Sequence, residues 1–188
     1  MARSAAQTRQ RILDAAYGLF WRQGFVRASL DDIAEGAGIT KRTLYQHFRS
    51  KDDLIADVLA QSSKLAMERL QRISDRMPDG PEAMIDSFFG QLSEWAAKPR
   101  WSGTGFTRVV AELADLPGHP ARTIARQHKA RVEAWLADLL AKSNVSSPVE
   151  RAREMTLLME GAMSLMLIHG DRSYADAAAR AAKQLVKQ

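Results

Sequence analysis

Cysteine is absent from the 188 residues, which excludes disulfides, thiol chemistry and thiolate metal sites. A reducing compartment fits that absence. Long hydrophobic runs are missing too. The most apolar stretch, 155–168, is interrupted by Glu160 and falls short of the about 20 apolar residues that a bilayer span needs. The opening residues, MARSAAQTRQ, carry positive charge with no apolar segment of signal-peptide length behind it. The expected location is cytoplasmic, with no membrane partner. Histidine is scarce: the four residues stand at 47, 119, 128 and 169, and no two share the i, i+3 or i+4 spacing of paired helical metal ligands. There is no HExxH, no Gly-rich phosphate loop and no GxSxG. Glu112 and Asp115, three apart near a helix end, suit solvated positions better than an acid–base pair. No catalytic residue, no cofactor and no metal is expected, so the chain reads as a non-enzyme.

What the chain does have is an uneven charge. The net charge is +5, yet residues 1–51 hold nine Lys/Arg against four Asp/Glu, and the remaining 137 residues balance to zero. A basic segment joined to a neutral one is the electrostatic footprint of a protein that binds a polyanion. Composition elsewhere, 46% hydrophobic and 26% charged, is that of a folded globular chain.

Within the basic segment, 29–51 reads SLDDIAEGAGITKRTLYQHFRSK. Ser29 is an N-cap with Asp32 three residues on, and Leu30, Ile33, Ala34 and Ala37 recur at helical spacing. Gly36 and Gly38 bracket a break, and Thr40 caps a second short helix. There Leu44 and Phe48 face inward, which leaves Lys41, Arg42, Thr43, Tyr45, Gln46 and His47 for other surfaces. Ile39 fills the space at the turn. Two short helices around a tight turn, the second polar and basic, form the pattern that enters a DNA major groove.

The rest of the chain predicts helices and no convincing strand. A first helix spans about Ser4 to Gln23, with Ile12, Leu13, Ala16, Leu19 and Phe20 on one face. Arg3, Arg9 and Arg11 crowd its start, unfavourably for the helix dipole, so an anionic partner is one explanation for them. Ser50, with Asp53, caps a long fourth helix reaching about Met77, whose buried side is predicted to include Leu54, Ile55, Val58, Leu59, Leu65 and Ile73. Further helices are predicted at about 81–97, 102–116, 121–143, 149–169 and 173–186, separated by Pro- and Gly-containing turns. The predicted fold is all-α, with about nine helices: a helix-turn-helix domain at 1–51, a connecting helix and turn at 52–80, and a regulatory and dimerisation domain at 81–188.

Residues 8–59 carry a resemblance. RILDAAYGLFWRQGF, then LDDIAEGAGITKRTLYQHFRSKDDLI, and the long helix behind them are similar in order and spacing to the TetR family of transcriptional regulators. The resemblance implies an Ω-shaped homodimer that places its third helices in successive major grooves of a palindromic operator on double-stranded DNA. It also implies a small-molecule effector bound by the C-terminal domain, with release from DNA as its effect and repression as the default role. Carried onto this chain, it implies DNA contacts at Ser29, Thr40, Lys41, Arg42, Thr43, Tyr45, His47 and Lys51. Lys41, Arg42 and Thr43 are then aimed at base edges, while Tyr45, His47 and Lys51 are aimed at phosphates.

Beyond residue 60 the residues themselves suggest two further surfaces. Phe88, Trp95, Trp101, Phe106, Trp135, Met159 and Met163 are candidate linings of an apolar pocket, with plain core packing as the alternative for each. Glu160, inside MTLLMEGAMSLMLI, and Arg108, among apolar neighbours, each need a partner or a ligand group of opposite character. The 155–168 helix is apolar on nearly every side and has to be covered on two. Gly161, Ala162 and Leu165, with Ala175, Ala178, Ala182 and Leu185 on the last helix, suggest a four-helix dimer interface. Two rivals stay open: a helix-turn-helix protein without small-molecule sensing, and an all-helical enzyme.

Overall fold

The computed structural model describes residues 5–99 and 101–187, and among these it contains nine α-helices and no strand. They are α1 (Ala5–Gln23), α2 (Leu30–Gly36), α3 (Lys41–His47), α4 (Lys51–Ser74), α5 (Pro81–Ala96), α6 (Gly105–Glu112), α7 (Pro120–Lys142), α8 (Pro148–His169) and α9 (Ser173–Leu185). The expected start at Ser4, and Arg3 before it, lie outside the described residues. The prediction at 102–116 shortens to α6, because the chain leaves the helix in turns after Glu112 and exposes Leu116.

The chain divides into two compact units: Met1–Ala66 with Gly105–His128, and Met67–Thr104 with Lys129–Gln188. Helices α4 and α7 therefore each contribute residues to both.

The first unit has a core of its own. The predicted face of α1, Ile12, Leu13, Ala16, Leu19 and Phe20, is buried. Phe25 is fully buried and stacks on Phe20 with centroids 5.2 Å apart. From α4 come Leu54, Ile55, Val58 and Leu59. Leu65, expected on that face, is exposed instead, since the buried stripe continues from Ile55 and Leu59 to Ser63 at i+4 spacing. The Ser63 hydroxyl lies 2.9 Å from His128 Nδ1, and the His128 ring stacks on Phe106 at 3.7 Å. A buried polar pair that satisfies itself in this way replaces what a leucine would have supplied by burial.

Phe106, Val109, Leu113, Ala121 and Ala125 complete this core. Residues 105–128 thus belong to the first unit, although sequence alone groups them with 81–188. Two groups lock the segment in place. Arg108 donates to Glu112 at 2.6 Å and to the Trp21 carbonyl at 3.0 Å, and Glu112 accepts the Val26 N–H at 2.9 Å. At Gly105 a Cβ would stand 2.2 Å from the Trp21 ring, so only glycine admits this approach. Glu112 is consequently a structural acceptor and not the solvated carboxylate its position suggested. His119 accepts the Ala121 N–H on Nδ1 at 3.1 Å and places Nε2 3.2 Å from Asp52, which ties the start of α7 to the start of α4.

The second unit packs α5, α7, α8 and α9 around Met84, Ile85, Phe88 and Phe89, Val132, Leu136 and Leu140, and the α8 methionines 155, 159, 163 and 166. Ala175, Ala178, Ala179 and Ala182 on α9 are buried in the same core, as is Ala162 on α8. Their small side chains let α8 and α9 pack closely within one chain. Of the seven residues expected at a dimer interface, Ala162, Ala175, Ala178 and Ala182 therefore face inward and Leu185 is partly covered, while Gly161 and Leu165 remain at the surface.

Candidate nucleic-acid interface

The α2–α3 pair is built from local signals. Ser29 has extended backbone (φ −92°, ψ 154°), and its hydroxyl accepts the Asp32 N–H at 3.0 Å. Asp31 and Asp32 then sit in the first turn of α2, where negative charge suits the helix dipole. At the other end the Gly38 N–H returns to Glu35 O at 2.9 Å and the Ile39 N–H to Ala34 O at 3.0 Å. Gly38 adopts φ +62°, a left-handed conformation that costs other residues about 1–2 kcal/mol. Thr40 caps α3 by accepting the Thr43 N–H at 3.1 Å, and the two threonine hydroxyls lie 2.9 Å apart.

The turn is braced from α1. Arg11 donates to the carbonyls of Ala37 and Gly38, while Arg9 pairs with Asp57 and lays its guanidinium 4.9 Å from the Phe48 ring centroid. The excess of cations at the start of α1 therefore has an intramolecular explanation for these two. Arg9 and Arg11 hold the helix-turn-helix against α1 and α4 and are not free arms. The ring-facing guanidinium adds a cation–π contact worth roughly 0.5–1 kcal/mol at an exposed site.

α3 buries Leu44 completely, with Phe48 following at 3% exposure. At 100° per residue, the direction opposite Leu44 falls between Arg42 and Gln46, both exposed. Thr43 and His47 lie on one flank, and Lys41 and Tyr45 on the other. Tyr45 is 48% exposed, so its ring is carried mostly outward and does not pack into the small core. Gln46 was absent from the expected contacts, yet its i+4 relation to Arg42 puts it on the central outward line. The helical period alone was enough to show it.

Two of the expected DNA-contacting lysines are engaged. Lys41 Nζ lies 2.9 Å from Asp31, and that hydrogen bond, followed by the Asp31 charge, holds its ammonium above the ordinary lysine pKa. Lys51 donates to the Val26 carbonyl at 2.7 Å, and its partial burial lowers its pKa. Lys51 thus fastens the α1–α2 loop to the start of α4, with two ammonium donors left over. Asp31 thus neutralises one cation on the outer side of α3. An Asp31→Asn variant is expected to bind duplex DNA about fivefold tighter near 0.15 M salt, the factor that one freed cation gives through counterion release. Fluorescence anisotropy with a labelled duplex measures it; unchanged or weaker binding contradicts this role for Asp31.

The residues expected to line a pocket are divided between the two units. Phe106 and Arg108 belong to the first unit, as described above. In the second unit Phe88, Trp135, Met159 and Met163 are core residues, with Phe88 and Trp135 rings 5.9 Å apart. Trp95 and Trp101 pack edge to face at 5.7 Å on the margin of that core. Glu160 has its partner within the bundle, in Lys129 of α7. Of the nine, only Trp101 lines the cavity of about 490 Å³ at the C-terminal ends of α5 and α8. Among the described residues no group of three His, Asp or Glu side chains converges as a metal site, and no helix is long and apolar enough to cross a membrane.

Comparison with known proteins places these features. The sequence model of the family described as "Bacterial regulatory proteins, tetR family" matches residues 12–58, which span α1 to the first turns of α4. The HTH-type transcriptional regulator YjdC of Escherichia coli is 26% identical over 180 residues, covering 95% of this chain and 93% of that protein. AcrR of Shigella flexneri, also an HTH-type transcriptional regulator, is 36% identical over 81 residues, 43% of this chain and 38% of its own length. The crystal structure of a TetR-family transcriptional regulator from Streptomyces coelicolor superposes with a TM-score of 0.86 at 23% identity, covering 97% of this chain and 95% of that one. At that identity the match speaks for the fold.

Proposed function

The chain is a transcriptional regulator of the TetR family with an N-terminal DNA-binding domain, and on that premise we propose that it is a ligand-responsive repressor that grips a palindromic operator as a homodimer. The observation that carries the DNA-reading half is the outward line of α3. Arg42 and Gln46 project directly away from Leu44, in the part of the sequence that holds all the net charge. Arg42 is suited to donate both arms of its guanidinium to guanine O6 and N7, and Gln46 to pair with adenine N6 and N7. Thr43 offers a methyl group and a hydroxyl to the neighbouring base edge. Lys41 joins them once Asp31 releases it. Tyr45, His47, Ser29 and the free donors of Lys51 serve the phosphates on either side, fixing register and orientation without reading sequence.

The dimer half of the proposal rests on α8. Its inner side is in the core, yet Leu157, Gly161, Leu165 and Ile168, at i, i+4, i+8 and i+11, form an outer stripe. Leu157 and Ile168 are 70% and 71% exposed. Large aliphatic side chains aligned on one helix face lose favourable burial unless a second surface covers them. Twofold symmetry brings the same stripe of a second copy, with Gly161 allowing close approach at the centre. Repression follows most simply, since a dimer seated across a promoter needs no further contact to block it. A small molecule in the second unit is the releasing signal, and α4 and α7, which run through both units, are the elements able to transmit it.

Substitution and salt separate these roles. Arg42→Ala is expected to cost about 1–3 kcal/mol of discrimination at one base pair per half-site and to relax preference there. Lys51→Ala is expected to weaken binding to all sequences alike and to reduce the salt slope by about one. Competition binding against single-base operator variants at several salt concentrations measures both. Equal loss of discrimination in the two variants, or affinity independent of salt, contradicts the assignment.

A further inference from the structure

The cavity at the ends of α5 and α8 has a chemistry that the DNA-binding role does not use. Its wall on one side is the turn after α5. The Lys98 N–H donates to Trp95 O at 3.2 Å and the Trp101 N–H to Lys98 O at 3.1 Å, which folds the Trp101 ring back against Trp95. Further along, Gly103 takes φ +74° and approaches α8 so closely that a Cβ there would meet Leu167 Cδ2 at 3.3 Å. On the other side α8 supplies Met166 and Leu167, then ends at Gly170 (φ +67°), whose N–H closes on Met166 O at 2.9 Å. Arg172 follows in the α8–α9 connection. Backbone-bonded turns and packed α8 side chains thus form the floor of a cavity that is open to solvent.

Its polar groups are of one kind. Lys98 and Arg172 line it, and among the described residues no carboxylate does. Neither cation has an ion pair or hydrogen bond from its side chain among the described residues. The nearest acid in sequence, Asp171, is occupied elsewhere, accepting the Ser173 N–H at 2.9 Å and its hydroxyl at 2.8 Å. Those two bonds, the backbone one first, lower its carboxyl pKa. The Trp101 indole Nε1 is buried with no acceptor. That atom is closed off from the cavity, so Trp101 lends the site ring surface and no donor. Around the two cations the surface is thioether, aliphatic and indole.

We propose that this cavity is the effector site and that its ligand is a small organic carboxylate with an apolar or aromatic body. The carboxylate takes the Arg172 fork and the Lys98 ammonium, and the body lies on Met166, Leu167 and the indole ring. A neutral molecule of the same shape satisfies the apolar wall and leaves both cations uncompensated. A cationic one is repelled. The proposal rests on the ligand-responsive reading given above, and it places that response at the junction where α5 ends and α8 turns into α9.

The test uses the full-length protein with 1-naphthaleneacetate and its uncharged amide, which have the same shape and differ in charge. Calorimetric titration is expected to show the acid bound at least about tenfold more tightly than the amide, the discrimination expected of a charge-assisted contact. A Lys98→Gln/Arg172→Gln variant is expected to keep its melting temperature and to lose that preference. Trp101→Phe trims the ring surface only and is expected to weaken acid and amide alike, leaving the preference for the acid in place. Equal binding of acid and amide, a preference that survives in the double variant, or no binding of naphthaleneacetate, benzoate or octanoate overturns the site. Release of bound operator DNA is read in parallel. Acid that binds here without releasing DNA upholds the site and sinks the effector role, whereas release that persists in the double variant puts the effector elsewhere.

Discussion

A Leu157→Glu/Ile168→Glu protein is expected to be a folded monomer whose operator affinity is lower by roughly 10²–10⁴, the range by which a second linked binding event raises avidity. The two positions are 70% and 71% exposed in the single chain, so the substitutions disturb no packing inside a protomer. In a twofold dimer centred on Gly161 position 157 comes opposite Leu165 of the second copy, and ionised carboxylates placed in that apolar strip have no partner and oppose association. Loss of the dimer leaves each α3 to bind a half-site alone. The single-site contact chemistry of Arg42 and Gln46 persists, so residual binding retains base preference but not the symmetric requirement. Sedimentation equilibrium gives the association state, and titration against full and half operators gives the affinity. A dimer that survives both substitutions, or a monomer with undiminished operator affinity, contradicts the proposed interface.

Leu44→Ala is expected to destabilise the first unit by about 2–5 kcal/mol, a large part of the roughly 5–15 kcal/mol that holds a typical domain together. Leu44 is fully buried, and it is the one residue of α3 in the core. A seven-residue helix is too short to persist by itself, so its tertiary anchor decides whether it exists. Phe48 then remains as the neighbouring anchor, joined to α1 through the Arg9 guanidinium. The variant is expected to lose DNA binding at temperatures where α5, α8 and α9 remain helical. Leu44→Met keeps the volume and is expected to cost less than about 1.5 kcal/mol. Urea denaturation followed by circular dichroism and by amide exchange across 30–48 measures both variants. A loss below 1 kcal/mol for the alanine variant contradicts the packing role given to Leu44.

The features that sequence disclosed are those set by neighbours a few residues away. The caps at Ser29, Thr40 and Ser50 each act on an N–H three residues on, at 3.0 to 3.1 Å, and a tripeptide spacing is enough to find them. The alternation of buried and exposed positions on α1, and the Pro- and Gly-marked ends of α5, α8 and α9, are equally local. What stayed hidden depends on distant partners. Arg9 and Arg11 look like free cations until Asp57 and the carbonyls of Ala37 and Gly38 are brought to them by the fold. Glu112 finds the Val26 N–H across 86 residues of chain. The buried position of Ser63 depends on His128, 65 residues away, and no spacing rule connects them. Ala162, Ala175, Ala178 and Ala182 show a third limit. Small residues predict a close helix–helix approach, but composition does not say whether the second helix belongs to the same chain. Here it does, and the surface left for a partner is the outer stripe of α8. Trp101 is the only expected pocket residue in the described cavity, because Lys98 and Arg172 come to it from two turns with no shared period.

On the proposed function α3, presented twice by a symmetric dimer, reads an operator through Arg42 and Gln46. Selection of bound duplexes from fragmented genomic DNA with purified full-length protein, followed by footprinting of the recovered sites, tests it most directly. The expected result is an inverted repeat with two major-groove footprints separated by one helical turn, about 34–36 Å, or a multiple of it. In an Arg42→Ala protein, preference is expected to relax at one base pair of each half-site. Recovered sites with no common sequence, a single unpaired half-site, or a direct repeat would contradict it.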